Sequence, residues 1–254
     1  MKIIENIYYD SSKSCCGDMF LPDCLRDNTN AILLIHGGGW NSMDKKDVVG
    51  IADFLCESLQ LPVYNINYTL SCEKPFPACV DDCINGAKFL LNYPDFKVKK
   101  LFVVGGSAGG HLALLTGLRL GKSHVAGIVS ISGIADLKSD YRLAPERYYE
   151  LFWKKDIGES DFAVAEPANY LQFDTPPILC THALNDNVVL YESAEIFVQK
   201  AKQLNLPIEL FSYTVQEDGY SHRIWIPDSK PHKLYLFLEE KIRKFLNEIK
   251  DLKG

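Results

Sequence analysis

Short apolar runs separated by amphipathic segments limit most strongly how this chain of 254 residues can fold. Each run ends in Gly, Ser, Asn or another polar residue, as buried parallel strands do. The runs are AILLIHGG, LPVYNINY, LFVVGGS, VAGIVSIS and PPILCTHA. Between them, apolar residues recur at helical spacing, as at Val80, Ile84, Ala87 and Leu91. Strands that alternate with helices predict a mainly parallel sheet with helices on both faces.

Further segments complete the predicted architecture, which is one α/β domain over residues 1–254. KIIENIYYD and GDMFLPD predict two antiparallel strands at the start. Two later segments show helical spacing, at Ala194, Phe197, Val198, Ala201 and Leu204 and at Leu234, Leu238, Ile242, Phe245 and Ile249. Residues 134–175 break the alternation and carry several aromatic residues, which favours a small inserted cap or lid over an irregular packing loop.

Composition narrows the partners that this chain can bind. The net charge is −6 and basic residues do not cluster, which disfavours nucleic acid and favours a small molecule. No apolar stretch approaches the roughly 20 residues of a membrane span, and we expect a cytoplasmic protein. Eight cysteines without a paired metal-binding motif predict reduced thiols and no metal. The oligomeric state stays open, a homodimer being one option.

Residues 105–109, GGSAG, match the G-x-S-x-G pattern directly after a strand signal and before the helical pattern HLALLTGL. A sharp turn between strand and helix exposes the serine hydroxyl at the carboxyl edge of a sheet. The pattern therefore predicts Ser107 as a nucleophile. The alternative is a turn of small residues that packs a helix close to a strand.

A serine hydroxyl needs a base within hydrogen-bond reach to act at neutral pH. His222 lies in the polar loop QEDGYSHRIW, between the apolar run IELFSYTV and the last helical pattern, and such a loop can carry an imidazole over the serine. His111, one helical turn beyond Ser107, is the alternative base. The remaining histidines are expected in structural roles: His36, His124 and His182 in local hydrogen bonds, and His232 at the start of the last helix.

Asp186 is the predicted partner of His222. It follows the strand signal PPILC and precedes a helix, which places it at the same carboxyl edge as Ser107. Glu217 and Asp218 lie nearer to His222 in sequence and are the alternatives. The chain order of serine, acid and histidine is the order found in α/β-hydrolases.

The run HGGGW, residues 36–40, places three glycines where a strand ends. Glycine loses more backbone entropy on folding than other residues, so such a run indicates unusual dihedrals or close approach of another group. An oxyanion that forms when serine attacks a carbonyl is stabilised by backbone N–H groups. We predict that Gly38, Gly39 and Ala108 supply these donors; a tight turn is the alternative.

Taken together, these motifs resemble the α/β-hydrolase superfamily and, within it, the carboxylesterases related to hormone-sensitive lipase. The resemblance rests on HGGGW, GGSAGGHLA, NINYTL, PFPACVDD and EPANYLQFDTPPILCTHALND. It implies Ser107, Asp186 and His222 as a triad, with Gly38, Gly39 and Ala108 around the oxyanion, and it implies that His36 organises the glycine run.

The predicted activity is hydrolysis of carboxylic esters through an acyl-enzyme, with no cofactor. Trp40, Tyr68 and Trp153 are candidates for the wall of a substrate pocket, with core packing as the alternative. A compact cap favours short acyl groups. Three alternatives stay open: an amidase resembling kynurenine formamidase, whose H-G-G-x-W loop is similar, a peptidase, and a ligand-binding protein that does not catalyse.

Overall fold

The alternating pattern folds into a single mixed sheet, seen in a computed structural model that describes residues 1–215, 222 and 232–251. Within these residues the sheet has eight strands in the order β1-β2-β4-β3-β5-β6-β7-β8. The strands are β1 Lys2–Tyr8, β2 Cys16–Leu21, β3 Thr29–Ile35, β4 Val63–Ile66, β5 Val98–Gly106, β6 Val125–Ile131, β7 Ile178–Ala183 and β8 Ile208–Tyr213. The pairs β1/β2 and β2/β4 are antiparallel and the others are parallel, as predicted.

Helices cover both faces of this sheet. Their bounds are α1 Val49–Leu59, α2 Ala78–Leu91, α3 Ala108–His124, α4 Leu137–Leu143, α5 Pro145–Phe152, α6 Glu159–Ala165, α7 Tyr191–Gln203 and α8 Leu236–Asp251. In β3, Ile32 and Leu34 pack with α1 and α8, while Leu33 and Ile35 pack with α2 and α3. Alternate residues of a strand point to opposite faces, so one apolar run serves two cores.

Two residues differ from the predicted helical spacing. Leu204 is 57% exposed because α7 ends at Gln203 and the chain then turns toward β8. Leu234 is buried but precedes α8, which begins at Leu236. His232 therefore lies before the helix rather than at its start, and its amide donates to the Asp47 carbonyl.

The segment 134–175 lies between β6 and β7 and contains α4, α5, α6 and a short 3₁₀ helix, Pro167–Tyr170. Its aromatic side chains pack on one another: Tyr141 meets Tyr148 at 5.5 Å and Phe162 at 5.3 Å between ring centroids, edge to face in each case. Such pairs add to the stabilisation that burial gives. The segment thus has an internal aromatic cluster, and its role as a cap stays a prediction.

No helix in the described part of the chain combines the length and the apolar character that crossing a bilayer would require. The cysteines all lie in described positions as free thiols, and only Cys24 and Cys72 are exposed.

A buried ion pair fastens the chain that follows the glycine run. The Lys45 ammonium lies 2.7 Å from both carboxylate oxygens of Asp18 on β2, and its side chain is only 2% exposed. The backbone of Lys45 also accepts from the Asn65 amide and donates to the side chain of Asn67. The segment after the glycine run is therefore held by β2 and by the end of β4.

Lys45→Met should lower the free energy of unfolding by about 3–5 kcal/mol, because Asp18 would stay buried without its counter-charge. Urea unfolding at neutral pH measures this difference. The matched control is Lys46→Met, since Lys46 is the exposed neighbour, and its effect should stay within about 0.5 kcal/mol. Equal effects of the two substitutions would show that the buried pair has no special weight.

Candidate active site

Ser107 lies on a strained turn between β5 and α3. Its backbone has φ +56° and ψ −125°, a conformation that L-residues seldom adopt, and its amide donates to the Ile131 carbonyl at 2.9 Å. A Cβ on Gly105 would lie 2.1 Å from the Gly109 carbonyl oxygen, and one on Gly109 would lie 2.3 Å from that of Ile35. Glycine is required at both ends of the motif because the backbones touch.

The glycine run, residues 36–40, packs directly against this turn. A Cβ on Gly37 would lie 3.2 Å from the Cβ of Ser107. Gly38 and Gly39 have φ values of +97° and +60°, which glycine adopts without strain. Within the described residues, the amides of Gly38, Gly39 and Ala108 donate to no acceptor. Three open N–H groups therefore belong to the two segments that meet at Ser107.

Aromatic and imidazole side chains of the core fix the glycine run by ring stacking and hydrogen bonds. The His36 ring stacks on Tyr68 at 4.4 Å between centroids, and its Nδ1 donates to the Gly37 carbonyl. The Trp40 indole donates to Nδ1 of His111 at 3.2 Å, and Nε2 of His111 donates to the Ala165 carbonyl at 2.8 Å. Burial lowers the pKa of His36 and of His111 to about 4.

These contacts assign core roles to three residues for which the sequence offered alternatives. Trp40 and Tyr68 expose 0% and 1% of their surface, so neither can line a substrate pocket; both are core residues that support the glycine run. His111 uses both ring nitrogens in other bonds, so it is not available as the base for Ser107. Sequence alone leaves both roles open, because it does not separate an aromatic residue of the core from one that lines a pocket.

The structure brings Ser107, His222 and Asp186 together in series. The Ser107 hydroxyl donates to Nε2 of His222 at 3.0 Å, and Nδ1 of His222 donates to Oδ2 of Asp186 at 2.6 Å. The side chain of Asp186 is fully buried, and that of His222 is 10% exposed. The alternative partners Glu217 and Asp218 lie outside the described residues.

Four N–H groups surround the Asp186 carboxylate. Its Oδ1 accepts from the amides of Val188 and Val189, both at 2.9 Å, in the turn that follows β7. Its Oδ2 accepts from His222, and Nε2 of His182 lies 3.3 Å away. Burial raises the pKa of Asp186, but the hydrogen bonds from His182 and His222 outweigh it and hold the pKa well below its usual range. The carboxylate is therefore ionised at neutral pH.

His182 is a site residue whose contact with Asp186 the sequence interpretation missed. The expected local bond exists, since Nε2 of His182 donates to the Val189 carbonyl at 2.8 Å. The same N–H also faces Asp186, four residues later in THALND. The available signal was a histidine at the end of the strand that precedes Asp186. The turn after β7 folds back on that end of the strand and brings the two side chains together.

A groove of about 330 Å³ opens beside the glycine run. It is lined by Asn41, Ser71, Cys72, Glu150 and Trp153. Trp153 is 56% exposed, and its indole nitrogen donates to the Ser71 carbonyl, which fixes the ring. Ser71 in turn donates its amide to the Trp40 carbonyl. Of the three predicted pocket residues, Trp153 alone has surface to offer a ligand.

Comparisons with known proteins identify the family of this chain. Residues 18–201 match the model of a protein family described as BD-FAE. Versiconal hemiacetal acetate esterase stcI of Emericella nidulans is 33% identical over 109 residues, which cover 40% of this chain and 36% of that protein. Hormone-sensitive lipase of Mus musculus is 28% identical over 91 residues, which cover 35% of this chain and 12% of the lipase. The predicted resemblance to that group of α/β-hydrolases is confirmed.

A solved structure shows the fold over nearly the whole chain. The truncated form of a carbohydrate esterase from gut microbiota has a TM-score of 0.82 at 19% identity, and the match covers 98% of this chain and 96% of that chain. The predicted α/β-hydrolase fold is confirmed. The chain spans only 36%, 25% and 13% of the length of three curated relatives that it matches.

His182→Leu should raise the pKa of Asp186 and lower the free energy of unfolding at pH 7 by about 1.5–3 kcal/mol, the usual value of a hydrogen bond to a charged group. A carboxyl with a depressed pKa stabilises the fold above the pKa of the unfolded chain, about 4, and this contribution is lost as the pH falls. The difference from wild type should therefore shrink below about pH 4.

Urea unfolding across this pH range tests the prediction, with His124→Leu as control, because His124 is exposed. A loss that is independent of pH would mean that His182 contributes only by packing.

Proposed function

The chain belongs to the BD-FAE family of α/β-hydrolases, and we propose that it is a serine hydrolase that cleaves carboxylic esters. The observation that carries the proposal is the hydrogen-bonded series of Ser107, His222 and Asp186. Such a series raises the nucleophilicity of a hydroxyl that is otherwise weak at neutral pH. The strained backbone of Ser107 adds support, because strain of this kind concentrates at functional sites.

In the proposed reaction, Ser107 Oγ attacks the ester carbonyl carbon while His222 Nε2 takes the hydroxyl proton. The C–O bond to the alcohol then breaks, the alcohol leaves with the proton from His222, and the acyl group stays on Ser107. Water attacks this acyl-enzyme with His222 again as base, which releases the acid and restores the serine. Asp186 orients the imidazole and stabilises its charged form throughout. This chemistry requires no metal or organic cofactor.

The open amides of Gly38, Gly39 and Ala108 are the proposed donors to the oxyanion. Their support is twofold: they have no acceptor within the described part of the chain, and their segments touch at Ser107. Removing one such donor in other hydrolases costs about 3–4 kcal/mol of transition-state stabilisation. An amide that is already unpaired needs no rearrangement to bind the developing charge.

We assign part of the substrate to the groove that Trp153 lines. Asn41 lies in the turn that follows Gly39, and its side-chain nitrogen donates to Glu150, so the groove has polar groups as well as the indole in its lining. Ser71 Oγ is buried without a hydrogen-bond partner in the described residues. A flat face beside polar atoms suits a ring-shaped alcohol, which stacks on the indole and offers hydroxyl groups to the polar groups of the groove.

Residues 134–175 act in this proposal as a cap, because α5 supplies Glu150 and Trp153 borders its end. Two expectations from the sequence are kept in this proposal: the substrate carries a short acyl group, and the protein is cytoplasmic.

Ser107→Ala should lower kcat/KM for a chromogenic acetyl ester by a factor on the order of 10⁶, as loss of the nucleophile does in other serine hydrolases. A fluorophosphonate probe followed by peptide mapping should label Ser107 in the wild-type protein. Ser123→Ala is the control, because Ser123 is exposed and lies at the far end of α3. Retained turnover in Ser107→Ala, or a label on another residue, would remove Ser107 from its role.

A substrate panel separates ester cleavage from the other reactions that the same triad could catalyse. Chromogenic esters from acetyl to long acyl are compared with N-formylkynurenine and a peptide amide by kcat/KM. The proposal expects short esters to rank first. A higher value for either amide would identify an amidase or a peptidase, and a labelled but inactive protein toward all of them would leave the ester assignment without support.

Trp153→Ala should raise KM for an aryl ester about tenfold with little change in kcat, because stacking on the indole contributes about 1–1.5 kcal/mol to binding. Trp153→Phe, which keeps an aromatic face, should recover most of the loss. Phe173→Ala is the control, since Phe173 is 95% exposed in the same inserted segment and does not line the groove. Unchanged KM in Trp153→Ala would place the substrate elsewhere.

A further inference from the structure

Arg147 on α5 connects the inserted helices to the turn that holds Asp186. Its Nη1 donates to both carboxylate oxygens of Asp140 at 3.3 Å, and its Nη2 donates to the Val188 carbonyl at 2.9 Å. The Asp140 side chain is fully buried, and that of Arg147 is 24% exposed. A planar guanidinium can make both sets of bonds at once because its N–H groups diverge in fixed directions.

The contact with Val188 reaches Asp186 through a single peptide unit. The carbonyl of Val188 and the amide of Val189 belong to the same planar group. Arg147 binds this group at its oxygen, and Asp186 Oδ1 accepts from its N–H at 2.9 Å. A charged donor on the carbonyl polarises the amide and strengthens the bond on its other side. The position of Arg147 therefore bears on the orientation of the Asp186 carboxylate.

Asp140 and Tyr148 keep Arg147 in place. The Tyr148 hydroxyl donates to Asp140 at 2.9 Å, and the Tyr148 ring packs against Trp40 at 5.7 Å between centroids. Burial raises the pKa of Asp140, while Arg147 and Tyr148 act against this rise. Asp140 also interacts electrostatically with His222 and with Asp186. Its charge is therefore part of the environment of the imidazole.

We propose that Arg147 is a positioning residue for Asp186, and that the inserted helices set the geometry of the candidate active site through it. The proposal rests on the proposed function, in which Asp186 orients His222. The exposed ion pair of Arg142 with Glu192, by contrast, joins α4 to α7 at 3.1 Å with both side chains at least half exposed. Pairs of that kind contribute about 0–1 kcal/mol to stability.

Arg147→Lys tests the proposal, because lysine keeps a positive charge beside Asp140 but has one ammonium in place of the fork that also reaches Val188. We expect kcat for a short ester to fall about tenfold with KM little changed, as small misplacements of a catalytic group do. The downfield proton resonance of the His222 Nδ1–H bond should shift or broaden. Arg142→Lys is the matched control and should leave both readouts as in the wild type.

The resonance separates this proposal from the proposed function. If the wild-type protein hydrolyses no ester, the function fails, and the resonance in Arg147→Lys still decides whether Arg147 positions Asp186. A folded Arg147→Lys with wild-type kcat and resonance overturns the proposal. If that variant does not fold, Asp140→Asn replaces it, because asparagine keeps an acceptor for Tyr148 and weakens the bonds that fix Arg147; a wild-type resonance there overturns the proposal equally.

Discussion

Direct contact between the backbones at the ends of β3 and β5 is the constraint on which the candidate active site depends. The two strands pair in parallel with Ile35 opposite Gly105, so the glycine run and the strained serine turn leave the sheet side by side. Any side chain at Gly37 or Gly109 would push the two segments apart. Because both positions lack one, Ser107 lies against a segment with open amides. The backbone itself thus supplies the groups that a reaction at the hydroxyl would require.

Asp186, in the turn after β7, and His222 lie at the same edge of the sheet as Ser107. An ionised carboxylate without solvent is stable only when hydrogen bonds replace its lost hydration. Asp186 has such bonds from two backbone amides and from His222, with His182 close by. The negative charge is therefore in place before any substrate arrives, and the imidazole is already oriented toward Ser107. The proposed reaction would therefore need little reorganisation of these groups.

The sequence predicted most of this arrangement because parallel strands place their carboxyl ends together. Ser107, Asp186 and the loop of His222 each follow a strand signal, so their meeting could be expected from topology alone. For Trp40 and Tyr68 the sequence left the choice between pocket wall and core open, because it shows that a residue is aromatic but not which neighbours cover it. Arg147 was not found at all. It contacts a backbone carbonyl 41 residues away, and no local pattern marks such a contact.

The peptide unit between Val188 and Val189 has a consequence for how relatives of this protein diverge. Arg147 binds its carbonyl and Asp186 binds its N–H; every residue has the first group and every residue except proline has the second. The side chains of Val188 and Val189 take no part in these two hydrogen bonds. Substitutions at these two positions can change side-chain packing without removing the two main-chain hydrogen bonds. A comparison of residue identities among relatives would therefore miss this link, whereas a comparison of main-chain positions would reveal it.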